Sequence, residues 1–350
     1  TMGAWQLIYI VSAIPCGIFL DRIGPRWALG IGALVILASA LGRAAAESYA
    51  GLLIAVMLFG LGAPIISSGA PKVVAAQFSG SARGLAMGIY MTGPAIGGVV
   101  SLTLTHSLLL PLFDNDWRSV MQLWALLGGI SIVTWLAIAW HPSMNQPVPT
   151  ANTAPVPQGA VLKKLLKEPA VILVLCMSVG VFLFNHGLNN WLPELLHRGG
   201  MSLINAGYWA AIPTVVGIAG SLLIPRLATP ERRFHILISL SLLAAAASLL
   251  LQFQSEPLLF TGLLLQGIAK SSLMTILILT LVELPGVSER HVGAATGVFF
   301  SAAEIGGVLG PLSMGLLYDI SGGFSAGLTM LTAIAVALAL AATRLRQMTR

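Results

Sequence analysis

A polytopic, all-α membrane protein is the fold class this sequence predicts, on three observations. The residues A, V, I, L, M, F, W, Y and C make up 57% of the chain, charged residues only 9%, and the mean hydropathy is +0.90. Stretches free of Asp, Glu, Lys and Arg run 1–20, 48–71, 84–113, 119–162, 169–193, 199–225, 234–255 and 320–343. Each can cross a hydrocarbon core of about 30 Å as a helix of about 20 residues. Basic residues, finally, fall on alternate connections, as short cytoplasmic loops require. A soluble enzyme, a disulfide scaffold and a nucleic-acid binder are excluded.

Two further spans carry one interior charge each, Lys270 within 257–282 and Glu304 within 291–318. With the shorter run 27–42, eleven helices are predicted. They cover 2–20, 27–45, 50–78, 84–106, 119–140, 169–191, 205–225, 234–253, 257–282, 292–317 and 324–343. The chain starts at Thr1 inside an apolar segment with no basic region before it, which is not the pattern of a signal peptide. A first helix is expected to be missing.

If 21–26 is cytoplasmic, thirteen of the eighteen Lys and Arg share that side. Only Arg43, Arg118 and Arg198 lie opposite, and Lys72 and Lys270 lie within helices. The carboxy end is then cytoplasmic, and the net charge of +6 reports topology rather than an acidic partner. The segment 141–168 is rich in Pro, Asn and Thr and ends in a basic KKLLKE run, so it reads as a cytoplasmic linker. It separates a half-bundle at 1–140 from one at 169–350. Residues 84–99 align with 293–308 at an offset of 209, with Gly84, Ala86, Gly88, Ile96, Gly97, Gly98 and Val99 all matched by identical residues. That points to an internal duplication.

The segment Gly17-Ile-Phe-Leu-Asp21-Arg22-Ile-Gly24-Pro-Arg26 resembles the G-x-x-x-D-R-x-G-x-R signature of the major facilitator superfamily. Gly93-Pro94-Ala-Ile-Gly97-Gly98 resembles its fifth-helix glycine-proline motif. The runs His186 to Glu194 and Ala86 to Pro94 resemble the branch holding the cyanate permease and the 2-nitroimidazole transporter. What the resemblance implies is a secondary transporter of two pseudo-symmetric halves around a midplane site, with helices two to twelve visible. It also implies an inner-membrane protein that acts as a monomer, a small-molecule solute, protons as a candidate coupling ion, and no cofactor. Two departures stand out. The fourth-helix Arg of many proton-coupled members falls at Val56, and the second-half position matching Asp21 is Pro225.

Gly17, Asp21, Arg22, Gly24 and Arg26 are the candidate conformational switch. A carboxylate at this junction can accept from amides of a neighbouring helix start and pair with Arg; the alternative is that the charges only set topology. Gly93, Pro94, Gly97, Gly306 and Gly310 are expected to pack helices closely. Gly262, Gln266 and Lys270 recur every four residues on one helix, and Gly293, Gly297, Ser301 and Glu304 stripe another. A midplane charge costs at least about 2.5 kcal/mol, so both stripes should face a cavity or each other. Lys270 and Glu304 are read as interacting charges, with a purely structural ion pair as the alternative. Lys270, Glu304, Gln266, Ser301, Tyr90, Asn185, His186 and Asn189 form the candidate solute-binding set. Lys72 is either a snorkelling side chain or an attractor of anions. Cys16 and Cys176 lie within spans, and no metal or catalytic constellation is recognised.

Together these residues imply transport of a small anionic or polar organic solute by alternating access. Efflux of a drug-like or nitroimidazole-type compound is the competing reading, and a channel or non-transporting sensor is the reading from another class.

Overall fold

The structure is a computed structural model that describes residues 4–140, 162–163, 165–253, 255–284, 287 and 291–349; the side chains of 102, 103, 106, 107, 203 and 204 are not described. Most of the linker 141–168 therefore lies outside the described residues. Among those described, eleven helices are long and apolar enough to cross a membrane. We label them α1 (Ala4–Ile23), α2 (Pro25–Ala45), α3 (Tyr49–Gln77), α4 (Gly80–Leu104), α5 (Trp117–Ala139), α6 (Pro169–Arg198), α7 (Leu203–Leu227), α8 (Arg233–Leu250), α9 (Glu256–Val282), α10 (Val292–Ser321) and α11 (Ser325–Met348).

The helix ends follow local chemistry. Gly24 takes φ +81°, and Pro25 then opens α2 with its fixed φ and no amide to satisfy. Asp116 caps α5, accepting from the Ser119 hydroxyl at 2.6 Å and from the amides of Arg118 (3.0 Å) and Ser119 (3.1 Å). These donors hold its carboxyl below the ordinary carboxylate value, so the cap persists into mild acid. α6 runs to Arg198, seven residues past the predicted 191, because Glu194 and Arg198 pair at 2.8 Å across one turn and carry the helix beyond its apolar stretch.

Two compact units emerge. The first comprises Thr1–Ala76, Ile96–Leu165 and Gly286–Ser301; the second comprises Gln77–Ala95, Leu166–Pro285 and Ala302–Arg350. α4 and α10 thus each contribute to both. Within the first, α2 packs on α5 and on α1. Within the second, α9 packs on α7 and α8, α11 on α8 and α6, and α6 on α7.

Close helix approach relies on glycine at a few places. In the second unit a Cβ at Gly306 would strike the Val179 carbonyl, and one at Gly310 the Leu183 carbonyl, so α10 lies directly against α6 as expected for this pair. Gly93 and Gly97 do not behave that way. Among the described residues nothing lies within 4 Å of a Cβ built on either, and neither they nor Pro94 are buried. A glycine aids packing only where a backbone stands opposite, and on α4 that place is taken by Gly84 and Gly88, which lie against the carbonyls of Pro225 and Ser221 on α7. Gly306→Val should therefore destabilise the purified protein by about 1–3 kcal/mol, lowering its thermal midpoint. Gly93→Ala should leave that midpoint unchanged or slightly raised. The opposite ranking would contradict the assigned helix contacts.

Candidate functional site

Three polar clusters interrupt the apolar helices. The first, in the first unit, is built on Asp21 at the end of α1. Helix starts expose amides that lack intrahelical partners and carry a positive partial charge. Asp21 meets two of them: its Oδ1 accepts from Gly293 N at 2.9 Å and its Oδ2 from Ala294 N at 2.7 Å, both in the first turn of α10. Gly17 and Gly293 allow this approach, because a Cβ on Gly293 would sit 2.5 Å from Asp21 Oδ1 and 2.7 Å from the Gly17 carbonyl. The cation beside Asp21 is Lys72 of α3, which donates to Oδ1; both side chains are buried.

Two expectations change here. Lys72 neither snorkels nor stands free to attract anions, since its ammonium is held by the carboxylate. Arg26 is not the partner of Asp21: its guanidinium lies 5.0 Å from the centre of the Trp140 ring, and its carbonyl accepts from Trp135 Nε1 at 3.1 Å. The reason is position. Arg26 belongs to the first turn of α2 and reaches the Trp140 ring at the end of α5, whereas Lys72 reaches the α1–α10 junction from α3. Arg22 is exposed.

The second cluster, in the second unit, joins α6, α9 and α10. Lys270 Nζ of α9 donates to Asn189 Oδ1 of α6 at 2.7 Å. The expected Lys270–Glu304 ion pair is not formed; among the described residues Lys270 has Asn189 as its hydrogen-bond partner. Glu304 is 5% exposed and turns toward Gly307 instead. A methyl on Gly307 would meet Glu304 Oε2 at 2.9 Å and His186 Nδ1 at 3.7 Å, which brings those two groups to one spot on α10. His186 also stacks on Phe182, with ring centroids 5.4 Å apart and planes at 17°, within electrostatic reach of Lys270. Gln266 is 1% exposed, and its Oε1 finds no hydrogen-bond partner among the described residues; the same holds for the buried Asn185 Oδ1.

Ser301 does not join this group. Its hydroxyl donates to the Ile10 carbonyl at 2.6 Å, so it serves the α1–α10 contact of the first unit. Tyr90 is half-buried on α4.

The third cluster went unnoticed in the sequence. Glu283, just past α9, accepts from Arg83 Nη1 at 3.1 Å and from Arg233 Nη2 at 2.5 Å, binding the starts of α4 and α8 to the end of α9. Only Pro225, where the repeat lacks its Asp, hinted that the second half needed another arrangement.

An apolar helical bundle with buried charges at helix ends and at mid-span defines a polytopic membrane protein. The chain belongs to the Major Facilitator Superfamily, whose family model matches residues 1–282. It is 26% identical over 251 residues, 63% of this chain and 54% of the relative, to the probable galactarate/D-glucarate transporter GudP of Bacillus subtilis (strain 168). It is 33% identical over 175 residues, 48% of this chain and 39% of the relative, to a quinolone resistance transporter of Acinetobacter baumannii. The chain spans about half or less of the length of these two curated relatives. The crystal structure of the E. coli fucose:proton symporter FucP superposes with a TM-score of 0.81 at 15% identity, covering 98% of this chain and 90% of that one. This likeness establishes the fold.

Proposed function

We propose that the protein is a secondary transporter that moves a small organic anion across the membrane by alternating access. The halves 1–140 and 169–350 then act as the moving bodies and 141–168 as their cytoplasmic linker. The observation that carries this reading is Lys270, a membrane-embedded ammonium held by the neutral amide of Asn189 rather than by a carboxylate. An anion entering there gains a charge-assisted hydrogen bond. The name of the GudP relative supports an acidic solute. Asp21 supports the conformational side, because its bonds to the α10 start can form in one state and open in the other. The solute, inner-membrane placement, cytoplasmic carboxy end, monomeric state and proton coupling all belong to this proposal, as does the cyanate-permease-like branch.

The quinolone resistance relative favours a second reading, efflux of an aromatic drug-like compound. Counterflow in proteoliposomes tests both. A labelled organic anion should accumulate transiently against its gradient when unlabelled anion is preloaded, and the flux should saturate. Counterflow of a quinolone with none of any aliphatic carboxylate would replace the first reading by the second.

A further inference from the structure

The second cluster contains more unmet hydrogen-bonding capacity than one carboxylate can absorb. Buried polar atoms in folded proteins are almost always paired, so an exception beside a charge marks a place where water or a ligand group can bind. Gln266 is buried and its Oε1 is without a partner among the described residues; Asn185 Oδ1 is in the same condition. Gln266 lies one turn from Lys270 on α9, and Asn185 one turn from Asn189 on α6. Successive spans alternate in direction, so these two helices run antiparallel where they pack. The two amides therefore flank the Lys270–Asn189 bond on opposite sides, each displaced by about 6 Å along the axis. A hydroxyl both donates and accepts, so it satisfies such an amide in either orientation.

The charge balance sets a second condition. Lys270 and Glu304 are the interior charges of this cluster, and with both ionised they sum to zero. One added negative charge can be matched by the ammonium, whereas a second would lie in the same low-dielectric region as the Glu304 carboxylate.

We propose that the site takes a hydroxylated monocarboxylate, its carboxylate on Lys270 and its hydroxyls on Gln266 and Asn185. This rests on the reading of Lys270 as the anion-binding group. It departs from a cyanate-like solute, which has no donor for either amide, and from a sugar diacid, which carries one charge too many.

The test measures binding of three acids to the purified full-length protein by calorimetry. The probes are gluconate, with hydroxyls and one carboxylate; hexanoate, of the same chain length without hydroxyls; and galactarate, with hydroxyls and two carboxylates. Gluconate should bind at least about tenfold more tightly than either of the others, the scale of one buried polar group left unpaired. Gln266→Leu should remove the preference for gluconate over hexanoate, with Asn185→Leu as an independent variant should the first fold poorly. Glu304→Gln should narrow the gap between gluconate and galactarate. Hexanoate or galactarate binding as tightly as gluconate overturns the inference, as does a preference untouched by both amide variants. If the acids bind without preference and Lys270→Ala abolishes all binding, the transport-site reading stands and this inference alone falls. Gluconate binding unchanged by Lys270→Ala, or no binding of any of the three acids, overturns both.

Discussion

Asp21→Asn should slow transport at least about tenfold while leaving solute affinity within a factor of about two, because it changes the balance between states and not the site. The asparagine amide keeps one acceptor but turns an NH2 group toward one of the two α10 amides, so one of the bonds to Gly293 and Ala294 is lost. The substitution also removes the charge opposite Lys72, which is 7% exposed. Leaving one member of a buried pair alone costs about 3–5 kcal/mol, so the single variant should unfold at a lower temperature than wild type. Asp21→Asn combined with Lys72→Gln should regain most of that stability without regaining the rate. Thermal midpoints in detergent, initial rates in proteoliposomes and equilibrium affinities separate the two effects. Unchanged transport in Asp21→Asn at normal expression would contradict the role given to the α1–α10 junction.

Glu304→Gln should retain anion binding and flatten its dependence on pH. In the wild type an ionised Glu304 repels an anion held on Lys270, so affinity should rise as the pH falls and the carboxylate takes up a proton. The glutamine, always neutral, should bind an anion at least as tightly as the wild type. Lys270→Ala with Glu304→Gln should bind an anion no better than Lys270→Ala alone, because the ammonium that holds the anion is absent from both. Affinity measured from pH 5 to pH 8 for wild type and the three variants checks both statements. A glutamine variant as pH-sensitive as wild type would remove Glu304 from the site.

The spans were legible in the sequence because insertion into hydrocarbon is paid residue by residue, so charge-free windows of sufficient length mark helices almost without regard to tertiary context. The glycines that repeat in the sequence, Gly84 and Gly88 against Gly293 and Gly297, fall at close contacts, each pair lying against a neighbouring helix within its own unit. Asp21 was legible as an acceptor for a helix start, since a carboxylate at a short junction has few other uses. Its cation was not. Lys72 lies 51 residues away on α3, and nothing in a one-dimensional pattern distinguishes it from Arg26, five residues on. The Lys270–Glu304 pairing failed for a similar reason. Helical spacing places both charges near mid-span on their own helices, but rotation about the α9 and α10 axes decides which neighbour each meets, and that rotation is set by contacts such as Gly306 on Val179 and Gly310 on Leu183. Ser301 shares a stripe with Glu304 by periodicity, yet α10 passes from one unit to the other between them, so the two side chains serve different neighbours.

The most direct measurement is equilibrium binding of an organic anion to purified wild-type and Lys270→Ala protein, with Lys270→Arg as the charge-conserving control. Loss of at least about a hundredfold in affinity in the alanine variant, with substantial binding kept by arginine, is the expected result for a charge-assisted contact that carries the binding. Equal affinity in wild type and Lys270→Ala would contradict the placement of the solute at Lys270 and, with it, the anion transporter proposed above.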